Sequence, residues 1–281
     1  MIVVTGATGN IGSNLVRILA ESGARVTAIS RGSKDFRLPD GVRHHTADLA
    51  EPQTLAPALD GAEALFVLIS GDQLIDGPAP ERLLDLARAG GVRRVVFVSS
   101  LGVVTRPDAD GYARLAAFEK ALRASDFTWT ILRPGGFYTN TYAWAESVRT
   151  ARTVAAPFGD IGLPSVDPAD IAAVAAAALR TDDHAGQTYT LTGPAVVTPR
   201  EQSADLGAAL GDSVRFVELT RDQAQAGMRQ FMPAAVVEHT LSILGEPTPE
   251  ELAVSIDIER ILGRPATGYA EWARRNRAAF A

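Results

Sequence analysis

The chain has 281 residues, 46% of them hydrophobic and 21% charged, a globular composition that excludes a disordered or fibrous protein. Twenty-seven basic residues against thirty-three acidic ones give a formal charge of −6, so no general attraction for nucleic acid or anionic lipid is expected. Cysteine is absent, which rules out disulfides, thiolate metal sites and a cysteine nucleophile. The four histidines are scattered apart from His44 and His45, and neighbouring side chains on a strand point to opposite faces, so no metal site is predicted. No apolar run approaches the ~20 residues that span a bilayer, and no basic leader precedes the first apolar segment. A soluble, cytoplasmic protein, monomeric or homodimeric, is expected.

In chain order, segments 2–5, 25–30, 64–69, 94–99 and 128–132 are nearly continuous apolar runs, the pattern of strands buried on both faces. Segments 10–21, 52–59, 80–89 and 111–124 lie between them and carry apolar residues three and four apart, the spacing of helices. This alternation predicts an α/β fold, a doubly wound parallel sheet with helices on both faces. Segment 135–168 reads as loops with one short helix, 170–179 as an alanine-rich helix, and 187–191 as a strand rejoining the sheet. From 199 onward helices dominate around a short strand at 214–219.

The strongest local signal is Thr5-Gly6-Ala7-Thr8-Gly9-Asn10-Ile11-Gly12, which leaves a strand and opens a helix. Gly6 permits a tight turn, Gly9 lets backbone N–H groups approach a pyrophosphate, and Gly12 lets the helix sit close on the strand. The helix N-terminus adds unpaired donors and partial positive charge, so Gly6, Thr8, Gly9, Asn10, Ile11 and Gly12 form a candidate dinucleotide phosphate site. A structural turn with no ligand is the alternative. The second strand ends Ile29-Ser30-Arg31-Gly32-Ser33-Lys34, without the carboxylate that often holds a ribose 2′-hydroxyl. Arg31, with Lys34 close by, is instead suited to a 2′-phosphate, which favours NADP(H) over NAD(H). The alternative for Arg31 is a solvated loop charge.

The Gly-x-x-Gly-x-x-Gly spacing and the opening TGATGNIG resemble the short-chain dehydrogenase/reductase superfamily in its extended and atypical branches. The resemblance implies a Rossmann core over 1–135, with 166–191 returning to it, and a smaller, mostly helical substrate-binding lobe from 136–165 and 192–281. It also implies that Asp48 and Leu49 touch the adenine, although Asp48 alone reads as a helix N-cap. Most enzymes of the superfamily use a Tyr-x-x-x-Lys pair after the fifth strand, in which the lysine lowers the tyrosine pKa. Here Tyr112 is followed four residues on by Ala116, and alignment on Glu119 puts Leu115 at the lysine position. Ketone reduction and sugar epimerisation, which need a poised proton donor, are therefore not expected. Hydride transfer to an electron-poor acceptor asks mainly that two rings be held face to face.

The segments Thr130-Ile131-Leu132-Arg133-Pro134-Gly135-Gly136-Phe137-Tyr138-Thr139-Asn140 and Val166-Asp167-Pro168-Ala169-Asp170-Ile171-Ala172 narrow the resemblance to the NmrA-like group. So do Tyr189-Thr190-Leu191-Thr192-Gly193-Pro194 and the closing Ile261-Leu262-Gly263-Arg264-Pro265, with Trp272 and Phe280. This group includes quinone, triphenylmethane dye and iminium reductases and a redox sensor. The resemblance places Leu68, Ile69, Ser70, Ser99, Pro134, Gly135 and Phe137 around the nicotinamide. Phe137, Tyr138, Tyr142 and Trp144 bring four of the eighteen aromatic residues into eight positions. They read either as the site of a small, flat, apolar or conjugated substrate, or as core. Tyr112 and Tyr138 are the phenols available to donate a proton. Asp167 and Asp170 flank a helix start and read as N-cap and dipole partner, and Arg274, Arg275 and Arg277 as a solvated face. The expected activity is hydride transfer from NADPH to a quinone, conjugated imine or similar acceptor. A non-enzymatic NADP(H) redox sensor is the alternative.

Overall fold

The apolar runs pair into a single parallel sheet because each is flanked by a helix that returns the chain to the same edge. The computed structural model describes residues 1–32 and 37–281. The first half runs β1 (Ile2–Val4), α1 (Gly12–Glu21), β2 (Val26–Ser30), β3 (Arg43–Thr46), α2 (Ala56–Leu59), β4 (Ala64–Leu68) and α3 (Pro80–Ala89). It continues through β5 (Arg94–Val98), α4 (Gly102–Thr105), α5 (Asp110–Arg123) and β6 (Thr128–Pro134). Then follow α6 (Ala145–Ala151), β7 (Thr153–Pro157), α7 (Pro168–Arg180), β8 (Gln187–Leu191), α8 (Pro199–Leu210), β9 (Arg215–Leu219) and α9 (Arg221–Met228). The chain closes with α10 (Ala234–Gly245), α11 (Pro249–Leu252), α12 (Asp257–Leu262) and α13 (Tyr269–Arg275).

Two units result. The first comprises Met1–Pro134, Pro168–Leu191 and Arg260–Gly263. It holds the seven-stranded sheet in the order β3-β2-β1-β4-β5-β6-β8, every neighbouring pair parallel. The order reverses between β1 and β4, and open α/β sheets bind ligands in the crevice at the carboxyl ends of strands at such a switch. α1 packs on α7. Leu83, Leu84 and Ala87 of α3 and Leu115, Phe118 and Leu122 of α5 build the core with Val3, Leu65, Val67, Val95 and Phe97.

The second unit comprises Gly135–Asp167, Thr192–Glu259 and Arg264–Ala281. It carries a two-stranded parallel sheet, β7 with β9, in the register Thr153↔Arg215 to Pro157↔Leu219. The sequence reading of 135–168 as loops and one short helix missed β7. Thr-Val-Ala-Ala-Pro is short, with two alanines among its five residues, and becomes a strand only because β9, distant in sequence, pairs with it. A second difference lies in 260–263, which packs with the first unit although the chain on either side belongs to the second.

Candidate functional site

Thr5 fixes the start of the glycine turn. Its hydroxyl donates to the Phe66 carbonyl at 3.0 Å and accepts from the Leu68 N–H at 3.0 Å, which joins the ends of β1 and β4 across the topological switch. Gly6 then takes φ +62°, a left-handed conformation that favours glycine. A Cβ at Gly12 would lie 2.1 Å from the Gly6 carbonyl oxygen, so only glycine lets α1 approach the turn this closely. Ile11 occupies the N-cap of α1 and no side chain caps the helix. Gly9 and Asn10 are exposed, Thr8 is half-buried and Ile11 is buried. A bare helix N-terminus behind a turn that a Cβ would fill is a cradle of N–H donors, and it fits a pyrophosphate.

At the end of β2, Ser30 is bonded to the His44 imidazole Nε2 at 2.8 Å, and its hydroxyl accepts from the Gly32 N–H at 3.3 Å. Arg31 is exposed beside them, and no acidic residue stands between Ser30 and Gly32. Lys34 lies outside the described residues. The Asp48 carboxylate accepts through Oδ1 from the Ala50 N–H and from the Gln73 side-chain amide, each at 2.9 Å. The helical turn that follows starts at Pro52 with Glu51 at its N-cap, so the N-cap reading of Asp48 is replaced by a turn and a tie to Gln73. Leu49 is half-buried against the core.

Leu68 is half-buried, Ile69 buried and Ser70 exposed at the end of β4. The Ser99 hydroxyl, after β5, points into the protein and donates to Glu119 Oε1 at 2.6 Å. Sequence reasoning used Glu119 only as an alignment landmark. It is 2% exposed and accepts four bonds, the others being Arg133 Nε at 2.9 Å, Arg133 Nη2 at 2.5 Å and Arg123 Nη1 at 2.7 Å. Burial alone would raise its pKa, but the bonds from Arg133, Ser99 and Arg123 outweigh it and hold the carboxyl below its ordinary value. A carboxylate on the buried stripe Leu115, Phe118, Glu119, Leu122, with an arginine four residues on, was the available signal. The Pro134 carbonyl accepts from the Leu101 N–H at 3.0 Å, extending the ladder past β5. Tyr112 lays its ring on Gly102, where a Cβ would come within 2.0–2.4 Å of the ring and hydroxyl.

Of the four aromatics of 137–144 the structure buries one, Tyr138, and leaves Phe137, Tyr142 and Trp144 partly exposed. Tyr138 is fully buried, its hydroxyl donates to the Thr267 carbonyl at 3.2 Å, and its ring lies 5.1 Å from Tyr269 and 6.0 Å from Trp272. It is a core residue of the second unit and not an accessible proton donor. Tyr142 stacks on Phe280 at 5.7 Å and donates to Asn276 Oδ1 at 2.8 Å; burial and the charge of Asp167 raise its pKa. Trp144 packs on the same aromatic cluster. Phe137 alone stays outside that cluster, half-buried and bridged to Val166, with Gly135 just before it. Arg275 is exposed, and it also pairs with the buried carboxylate of Asp167.

A parallel sheet in this order, with an uncapped glycine-rich helix start at its switch point, defines a Rossmann dinucleotide-binding protein. Residues 6–182 match a family described as NAD(P)H-binding. The chain is 36% identical to the (4-alkanoyl-5-oxo-2,5-dihydrofuran-3-yl)methyl phosphate reductase of Streptomyces griseus, covering 100% of this chain and 99% of that one. It is 34% identical to the NAD(P)H azoreductase of Xenophilus azovorans, over 100% and 99% of the two chains. The NADPH complex of the NADPH-dependent quinone oxidoreductase of Escherichia coli aligns with a TM-score of 0.79 at 26% identity, over 98% and 99% of the two chains. The chain belongs to the NAD(P)H-binding family, as an atypical short-chain dehydrogenase/reductase akin to quinone and dye reductases.

Proposed function

We propose that this chain is a reductase that passes hydride from NADPH to a small, flat, electron-poor acceptor such as a quinone, an azo compound or a conjugated imine. NADPH supplies the hydride when bound. The chain's own residues hold it: the N–H groups of the Thr8–Gly12 turn, apart from that of Gly9, which donates to the Gly6 carbonyl at 3.0 Å, take the pyrophosphate, Arg31 the 2′-phosphate, and Asp48 and Leu49 the adenine. Leu68, Ile69, Ser70 and Pro134 flank the nicotinamide. Phe137 is assigned to meet the acceptor.

The observation that carries this reading is the fate of the proton-transfer groups at the ends of β4, β5 and β6. Ser99 gives its only hydroxyl proton to Glu119, Tyr138 is sealed in the second unit, and Tyr112 has Ala116 where a lysine would activate it. A carbonyl oxygen gaining negative charge would find no activated donor among these groups, whereas a quinone or a cationic carbon needs none. The relatives named as reductases of azo compounds, quinones and an unsaturated furanone phosphate support the same acceptor class. NADPH oxidation followed by absorbance should proceed with quinones, azo dyes and iminium compounds and be absent with simple ketones. Ketone turnover at comparable kcat/KM would overturn this reading, and binding without turnover of any acceptor would favour a redox sensor.

A further inference from the structure

The strand next to β1 across the topological switch is β4, so the segment leaving β4 forms a wall of the crevice whose other wall is the glycine turn. That segment runs from Ser70 to Ala79 and contains a short helical turn, Gly71–Leu74, whose start no side chain caps. Ile75 is exposed and only Leu74 reaches the core, so burial does little to fix the segment's course. It is fastened from outside. The Arg114 guanidinium, on α5, donates through Nε to the Gln73 carbonyl at 2.6 Å, through Nη1 to the Gly77 carbonyl at 2.9 Å and through Nη2 to the Pro78 carbonyl at 3.0 Å. The Gln73 amide in turn reaches Asp48 at 2.9 Å. A Cβ at Gly77 would stand 2.9 Å from Arg114 Nη2, so the guanidinium occupies the space a side chain would need.

We infer that Arg114 is a positioning residue for the dinucleotide: by clasping three carbonyls it holds the Ser70–Ala79 strap as the fixed wall of the cofactor crevice. The inference rests on the NADPH-binding reading above. All of Arg114's described partners are carbonyls of this one segment, so its charge serves no carboxylate and its geometry serves only the strap. A planar fork can span three carbonyls at once, and a lysine ammonium cannot replace it. The Gln73–Asp48 bond extends the same wall to the residue assigned to the adenine. The clasp therefore links the two ends of the cofactor through one helix, the one on which related enzymes carry their tyrosine and lysine.

The test compares full-length wild type, Arg114→Ala, Arg114→Lys and Gly77→Val by NADPH calorimetry, steady-state kinetics with a quinone, thermal melting and hydrogen exchange of 70–79. Both Arg114 variants should bind NADPH at least about tenfold more weakly. Their kcat at saturating NADPH should fall no more than about threefold. Exchange in 70–79 should quicken and be slowed again by saturating NADPH. Gly77→Val, which leaves Arg114 in place but displaces its fork, should reproduce the weakened binding. Faster exchange with unaltered NADPH affinity would overturn the inference, since the strap would then not be a cofactor wall. Unaltered exchange would overturn it too, because Arg114 would not be the clasp, and a lowered melting temperature with unaltered affinity would make the role structural. If wild type itself fails to bind NADPH, the cofactor reading fails instead.

Discussion

Two side chains carry testable weight at the scale of single residues. Arg31 is exposed at the end of β2, and the proposed function assigns its guanidinium to the 2′-phosphate of NADPH. Arg31→Ala should weaken NADPH binding by about tenfold or more while NADH binding changes little, as measured by calorimetry. Equal losses would remove the 2′-phosphate contact. Glu119 is buried with two arginines and a serine on its four lone-pair directions. Its folded pKa lies below the ordinary 4.5, so its contribution to stability is complete above that value and is lost as pH falls through the folded value. Urea unfolding should therefore weaken more steeply below about pH 4.5 in wild type than in Glu119→Gln. At neutral pH that variant should lose about 3 kcal/mol or more, because Arg133 and Arg123 lose a charged partner. A stability difference that does not depend on pH would show that the carboxylate charge is not what holds the network.

Among the elements, α1 and the turn before it are the most tightly specified. A methyl group at position 12 would meet backbone at 2.1 Å, and backbone cannot swing aside as a side chain can. Gly12→Ala should displace the N-terminus of α1, cost about 1–3 kcal/mol in chemical denaturation and weaken NADPH binding by more than tenfold. Retained affinity would mean that the helix start is not the phosphate site. This part of the protein was legible in the sequence because a glycine turn, a parallel strand and a helix start are local patterns. β8 was equally legible, since Gln187–Leu191 keeps its alternation when it joins β6. β7 was not, because its pairing with β9 exists only in three dimensions. For the same reason Tyr138 and Trp144 read equally as a substrate wall or as core, until Trp272 and Phe280 arrived from the far end of the chain. Arg114 gave no signal in one dimension, because carbonyls carry no letter in a sequence.

For the whole molecule, the division of labour follows from chemistry placed in each unit. The first unit holds the glycine turn, Arg31, Asp48 and the strand ends, whereas Gly135 and Phe137, also expected near the nicotinamide, belong to the second. The second builds a core of its own around Tyr138, Tyr269, Trp272 and Phe280 and leaves Phe137 outside that cluster. Neither unit offers a Tyr-x-x-x-Lys pair among its described residues, and the proposed function accordingly takes acceptors that need no enzymatic proton. No helix among the described residues is long and apolar enough to cross a membrane. This chain thus moves a hydride and does more than sense its cofactor.

The measurement that tests it most directly uses NADPH labelled with deuterium at the transferable C4 position and a cationic triphenylmethane dye as acceptor. The leuco dye keeps at carbon whatever hydrogen it receives, so mass spectrometry of the product reports the source. Enzyme-dependent leuco dye carrying the deuterium, formed with a slowed rate relative to unlabelled NADPH, is the expected result. NADPH bound tightly with no label on the dye, and no oxidation with quinones in the same preparation, would contradict the claim and make the chain a sensor of NADP(H).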